Sequence, residues 1–185
     1  MKRNALPSLF DVVAFDDPLE MLLACHRRIE KQLDTLKRLR AHVAENGVDA
    51  EASAAAQAVL RYFERAATNH NEDEERDLFP LLEARITDSG EMARFKAFRA
   101  EIERDHREIE SMWTKLRRPL EGIAEGLTRT LLPADVQAFV GAYARHILAE
   151  ESALTEFFNR WLDDGDRRAL GRSMSARRHI ENRPG

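Results

Sequence analysis

The chain has 185 residues, enough for one compact domain, and 43% of them are hydrophobic, enough for a core. Charged residues make up 34%, but the two signs are mixed and the net charge is −4, which gives no sign of a nucleic-acid or membrane partner. One cysteine excludes an internal disulfide and fits a reducing compartment. We find no signal peptide and no apolar stretch long enough to span a bilayer, so we expect a cytoplasmic protein.

Local signals predict where helices begin, bend and end. Asp17 as N-cap and Pro18 as first helical residue begin the first helix, and glycine at position 47 ends it. Pro80 removes a backbone donor inside the second helix and should kink or end it, and Pro119 should bend the third. In chain order we predict an N-terminal arm packing on the body (1–16), helices at about 17–45, 49–85, 91–125 and 132–164, and a basic C-terminal helix and tail (165–185).

Apolar residues recur every three or four positions along each of the four long helices, as in a helix that buries one face. Short turns connect these helices, including the turn at residues 88–90 in the middle of the chain. The pattern predicts an all-α fold, an up-down-up-down four-helix bundle spanning 17–164.

A His and a Glu four residues apart occur twice, as His70 with Glu74 and His146 with Glu150. Residues four apart lie on one face of a helix, so each pair can offer a nitrogen and an oxygen to one metal ion. Their surroundings match as well, since each His follows a Phe by seven residues and an Ala by four, and each Glu precedes a Leu by four.

Two further histidines, His26 and His106, precede the paired histidines by 44 and 40 residues. Each is followed four residues later by Glu and ten residues later by Leu. The chain therefore has the pattern of a duplicated two-helix unit in which each half supplies two His and one Glu.

All four histidines fall within apolar stripes, so we expect them in the bundle core with the two carboxylates. Buried carboxylates need a compensating charge, and a metal ion supplies it. Imidazole and carboxylate suit iron, manganese or zinc. Six ligands are too many for one tetrahedral zinc and suit two ions, which Glu74 and Glu150 would bridge.

At these residues the chain resembles the hemerythrin-like, HHE cation-binding domain, a four-helix bundle with a non-haem di-iron centre. The resemblance covers about 17–162, and the Glu-Glu-Arg-Asp-Leu-Phe-Pro run at 74–80 is similar to that family's second helix. It implies two iron ions with an oxo or hydroxo bridge, for which manganese or zinc could substitute, and a diatomic or peroxide ligand at the metal. It also implies six metal ligands: His26, His70, Glu74, His106, His146 and Glu150.

The third helix departs from oxygen-carrying hemerythrins, in which it supplies two histidines four residues apart. Here Ile102 lies four residues before His106 and Glu110 four after it. This departure argues against simple reversible oxygen carriage.

Several nearby residues have two interpretations. Glu110, and by the repeat Glu30, would either donate an extra oxygen ligand or be a surface acid paired with an arginine. Glu75 and Glu151 follow the ligand glutamates and could replace them as ligands. Cys25 precedes His26 and is either a small core residue or a thiol oxidised near the metal.

Tyr143 would either donate a hydrogen bond behind the site or only pack in the core. His42 and His179 lie outside the repeat, and we interpret both as surface residues. The basic tail is either a solvated helix face or a surface for an acidic partner or nucleic acid. A homodimer or a protein partner is also open.

Three functions fit the sequence. The first is a di-iron protein that senses or reacts with oxygen, peroxide or nitric oxide. The second is an iron-handling or iron-donating protein, for example one that serves iron–sulfur cluster repair, and the third is a helical interaction module with a structural metal. The chain shows no nucleophile–base pair, phosphate loop or nucleotide motif, so the sequence leaves enzymatic activity undecided.

Overall fold

The computed structural model describes residues 17–127 and 130–181, with side chains described as far as residue 178. Every element in these ranges is helical, which confirms the all-α prediction. The N-terminal arm predicted at 1–16 lies outside the described residues. None of the helices in the described ranges is long and apolar enough to cross a membrane.

The first helix, α1, spans Pro18–Asn46, and the Asp17 carboxylate caps it by accepting hydrogen bonds from the backbone N–H of Leu19 and Glu20. Gly47 ends it with a φ of 79°, in the left-handed region that only glycine adopts without strain. These are the capping residues that the sequence predicted.

The second helical rod consists of five consecutive segments. They are α2 (Ala50–Arg61), a π-helical segment (Tyr62–Ala66), α3 (Ala67–Glu72), a second π-helical segment (Asp73–Leu78) and α4 (Phe79–Arg85). Wider π turns within helices occur frequently at functional sites, and here the second one contains Glu74. Pro80 lies in the first turn of α4 and does not end the rod, which continues to Arg85, the end predicted from the sequence.

Two more long helices, α5 (Ser89–Ala124) and α6 (Pro133–Trp161), complete the bundle, and α7 (Asp164–Glu181) follows a two-residue break. The α5 helix begins slightly earlier than predicted because Asp88 caps it through the N–H of Glu91. It continues through Pro119. Helix α1 packs against the rod and α6, and α5 packs against the same two neighbours, which closes a ring of four.

The apolar core is divided into two clusters. One surrounds Leu36, Phe63 and Phe139, and the other surrounds Phe79 and Phe157. On each of the four bundle helices, the predicted site residues lie near the boundary between the part that joins the first cluster and the part that joins the second. The site is therefore a polar layer with apolar packing on both sides.

Helix α7 packs its buried residues Leu170 and Met174 on the second cluster. Arg85 of α4 donates two hydrogen bonds to the Asp166 carboxylate, at 2.8 and 2.7 Å, and fixes the start of α7 against the rod. The basic segment beyond the bundle is thus an ordered element that covers one end of the core.

Candidate metal centre

Six predicted side chains meet in the polar layer, although they come from four separate helical elements. Each is at most 5% exposed. Helix α1 supplies one, the second rod two, α5 one and α6 two, and all lie on the stripes that face the core. The converging side chains are those of His26, His70, Glu74, His106, His146 and Glu150.

The four imidazoles form two pairs. In the first, the Nε2 atoms of His26 and His70 are 3.0 Å apart, and the rings are nearly perpendicular with centroids 4.7 Å apart. In the second, the ring centroids of His106 and His146 are 4.9 Å apart. Because each pair combines one lone and one paired histidine from the same half of the repeat, the duplication seen in the sequence appears as two matched imidazole pairs.

The two carboxylates lie between the pairs. Glu74 places Oε1 at 3.0 Å from Nε2 of His70 and Oε2 at 3.3 Å from Nε2 of His106. Glu150 places Oε2 at 3.3 Å from Nε2 of His26 and 3.2 Å from Nε2 of His146. Each carboxylate therefore contacts one histidine of each pair.

A second set of carboxylates holds the outer nitrogens of the two lone histidines. Nδ1 of His26 donates a hydrogen bond to Oε1 of Glu151 at 2.9 Å, and Nδ1 of His106 donates one to Oε1 of Glu75 at 2.6 Å. Glu75 and Glu151, considered as substitute ligands on sequence grounds, thus lie behind the histidines, with 39% and 42% of their side chains exposed.

Burial and the neighbouring charges shift the pKa values of the site in opposite directions. Burial, and then the negative charge of Glu150, raise the pKa of Glu74 well above its usual range. Burial would also raise the pKa of Glu150, but the close ring nitrogens of His146 and His26 hold that pKa well below its usual range. Without a cation, the site therefore favours one neutral and one ionised carboxylate.

Burial and the neighbouring carboxylates also shift the pKa values of the histidines, in different directions. Burial lowers the pKa of His70 well below its usual value, and burial also lowers the pKa of His106. Burial opposes the charged form of His26, but its contacts with Glu150 and Glu151 outweigh that effect and raise its pKa. Neutral imidazoles at His70 and His106 are in the form that binds metal.

The donor atoms fit a bound cation. Buried polar atoms without a hydrogen-bond partner are rare, yet this layer contains eight among the described residues. A carboxylate oxygen facing an unprotonated ring nitrogen repels it unless positive charge lies between them. Four residues from both halves, His26, His70, Glu74 and Glu150, bring one donor each within 4.8 Å of one another. The unpartnered atoms are Nδ1 of His70, both carboxylate oxygens of Glu74, Nε2 of His106, both ring nitrogens of His146 and both carboxylate oxygens of Glu150.

A cleft of about 640 Å³ between the second rod and α5 reaches this layer. Phe63, Trp113 and Tyr143 contribute aromatic lining, and the cleft extends to Glu75 and His106. His106 is the one predicted ligand that lines this cleft, so the His106 side of the site is the side that solvent approaches here.

The structure separates other predicted residues from the donor layer. Glu30 and Glu110 are exposed, in agreement with their interpretation as surface acids. The Tyr143 ring packs edge-on against Phe139, and among the described residues we find no hydrogen bond from its hydroxyl to the site. His42 is partly exposed, and its Nε2 atom forms a hydrogen bond with Oδ2 of Asp49 at 2.9 Å. The side chain of His179 lies outside the described residues.

The sequence did not predict that α7 would reach the site's surroundings. Asp73, the residue before Glu74, is fully buried and accepts hydrogen bonds from Arg177 and Arg178 of α7. Arg178 also contacts the buried sulfur of Cys25 at 3.6 Å. A possible signal was the acidic run at 72–75 together with two adjacent arginines in the tail, but the pairing joins residues about a hundred positions apart.

Comparisons with known proteins agree with this geometry. The family model described as hemerythrin HHE cation-binding domain matches residues 17–158, which is the whole described bundle apart from its last turn. The chain is also similar to a protein of Haemophilus influenzae described as uncharacterized, with 28% identity over 167 residues that cover 90% of this chain and 93% of that protein.

Proposed function

Because the chain belongs to the hemerythrin HHE cation-binding domain family, we propose that its polar layer binds two iron ions and that the protein senses or reacts with oxygen, peroxide or nitric oxide. One observation carries the two-ion proposal. Each of the two buried carboxylates contacts one histidine of each imidazole pair, as expected of carboxylates shared by two ions.

In this proposal, one ion is held by His26 and His70 and the other by His106 and His146, with Glu74 and Glu150 shared between them. Bound iron would supply one-electron redox chemistry and coordination positions for a small external ligand. The protein supplies apolar packing above and below the layer, which keeps bulk water away from those two sides and strengthens the interaction of charged groups within the layer.

The surroundings of His106 favour a reactive or sensing role over reversible oxygen carriage. Ile102, four residues before it, is fully buried in the second apolar cluster, and Glu110, four residues after it, is exposed. Neither contributes a further donor to the layer. Six protein ligands cannot fill the coordination positions of two octahedral ions, so both ions keep open positions for small ligands. An oxygen carrier, by contrast, depends on a centre in which the two ions have different numbers of protein ligands.

The cleft at His106 favours a second candidate function, iron handling or donation. It brings solvent to one ligand and to the carboxylate of Glu75, so an ion on that side would have a path to an acceptor. Rapid loss of iron to a metal-free acceptor protein or chelator would support this function, particularly if the loss is slower in Thr68→Phe, which narrows the cleft at an exposed lining residue. Iron retained for days would contradict it.

Metal analysis and optical spectra of protein reconstituted with ferrous iron test the principal proposal. We expect about two iron ions per chain, near-ultraviolet charge-transfer bands that develop after exposure to air, and a change in those bands when azide is added. One metal ion per chain would contradict the two-ion site. A long-lived oxygen adduct that releases oxygen intact would instead indicate a carrier, and exclusive binding of zinc during iron-replete expression would remove the redox function.

A further inference from the structure

Each lone histidine is bracketed by two consecutive glutamates from the other half of the repeat. Glu74 faces Nε2 of His106 at 3.3 Å, and Glu75 accepts from Nδ1 of the same ring at 2.6 Å. At His26, the counterpart of His106 in the repeat, Glu150 faces Nε2 at 3.3 Å, and Glu151 accepts a hydrogen bond from Nδ1 at 2.9 Å. The two halves therefore exchange the same contact.

The outer hydrogen bond decides which ring nitrogen carries the proton. An ionised carboxylate can only accept, so Nδ1 must carry the hydrogen and, in the neutral ring, Nε2 has the free lone pair. That lone pair points into the buried donor layer. The protonation pattern and the ring orientation are those that a metal ligand needs.

The paired histidines do not have this support. Nδ1 of His70 and Nδ1 of His146 are buried without hydrogen-bond partners among the described residues. Their rings are oriented instead by a carboxylate one turn away on the same rod or helix, at 3.0 Å for His70 and 3.2 Å for His146. The lone histidines have no such neighbour, because the acid one turn after each is exposed.

We propose that Glu75 and Glu151 are positioning residues: each fixes the proton and the ring orientation of the lone histidine of the opposite half, His106 and His26 respectively. This inference rests on the proposed metal centre for its functional meaning. It assigns a role to the second residue of each Glu-Glu pair, and it predicts that loss of either outer carboxylate impairs one lone histidine and leaves the paired histidines unaffected.

Nitrogen-15 NMR of histidine-labelled, metal-free protein tests the positioning directly, at a pH where the imidazoles are neutral. The His106 signals, assigned with His106→Gln, should show the Nδ1–H tautomer in the unmodified protein. Glu75→Ala should give a mixture or the other tautomer, and Glu75→Gln should restore the original pattern, because its amide oxygen can accept the same bond. Glu110→Ala, which removes an exposed acid one turn from His106, is the matched control and should change nothing.

Titration of the metal-free protein with Co²⁺ gives a second measurement. We expect Glu75→Ala and Glu151→Ala to weaken Co²⁺ binding about 10- to 100-fold, while Glu110→Ala and Glu30→Ala stay at the unmodified affinity. Far-ultraviolet circular dichroism checks that each variant is folded, and because the two outer glutamates lie in different halves, each variant tests the inference independently.

An unchanged tautomer in Glu75→Ala would overturn the positioning role, as would equal losses of Co²⁺ affinity in Glu75→Ala and Glu110→Ala. These outcomes differ from failure of the proposed function. If no form of the protein bound Co²⁺ or iron, the metal centre would be refuted, while the NMR spectra of the metal-free protein would still decide whether Glu75 positions His106.

Discussion

At Glu74, the proposed metal binding and the stability of the metal-free fold oppose each other. Its side chain is fully buried, and both carboxylate oxygens lack a hydrogen-bond partner among the described residues. A buried polar group left in this state costs about 1–3 kcal/mol, so the carboxylate destabilises the fold when no cation is bound. Replacing it with methionine, which is similar in length and has no oxygen, removes that cost.

We expect metal-free Glu74→Met to be more stable than the metal-free unmodified protein by about 1–2 kcal/mol. The gain lies in the lower part of the range of about 1–3 kcal/mol because the substitution also removes the polar neighbour of the Nε2 atoms of His70 and His106. In a protein of this size, that gain raises the melting temperature by about 2–8 °C. With metal the order should reverse. Metal at a thousandfold excess over its Kd increases the free energy of unfolding of the unmodified protein by about 4 kcal/mol. The variant should not gain this stabilisation, because it lacks the carboxylate that the two proposed ions share.

Calorimetry of both proteins, first after chelation and then after anaerobic addition of ferrous iron, measures the two differences. Glu30→Met is the matched control, because Glu30 is exposed and its replacement should change the free energy of unfolding by less than about 0.5 kcal/mol. A metal-free Glu74→Met protein that melts below the metal-free unmodified protein would refute the reasoning. Equal stabilisation of both proteins by iron would show that Glu74 is not needed for the site.

Three further outcomes are expected. Glu150→Ala should abolish binding of the paired ions, whereas His42→Ala should leave metal content unchanged, both measured by metal analysis after reconstitution. Acidification should release the metal, because the ligands must be unprotonated to bind it, and loss of the optical bands measures this release. Retention of the metal at low pH would contradict imidazole ligation. Arg177→Ala or Arg178→Ala alone leaves the buried Asp73 carboxylate one of its two described arginine partners, whereas the double variant removes both. The double variant should therefore lose about 3–5 kcal/mol in chemical unfolding, more than the sum of the single losses; simple additivity would contradict this.

The sequence determined the features that depend on residues close together along the chain. Helical periodicity, the caps at Asp17 and Gly47 and the short turns specified an all-α bundle, and the structure confirms it. Local spacing also singled out the six residues that meet in the polar layer, because a polar residue on a core-facing stripe differs from the apolar residues around it. The resemblance to the hemerythrin-like family, drawn from the same residues, is confirmed by the family comparison.

Tertiary structure alone decided which residues meet across helices. The partner of His106 is Glu75 in the other half, and Asp73 pairs with arginines of α7 about a hundred residues later. The π-helical segment around Glu74 was likewise not visible in the sequence. Periodicity specifies the face on which a side chain lies, but the packing of whole helices sets the distances between faces. Those distances decide whether an acid lies in the buried polar layer, behind a histidine or in solvent.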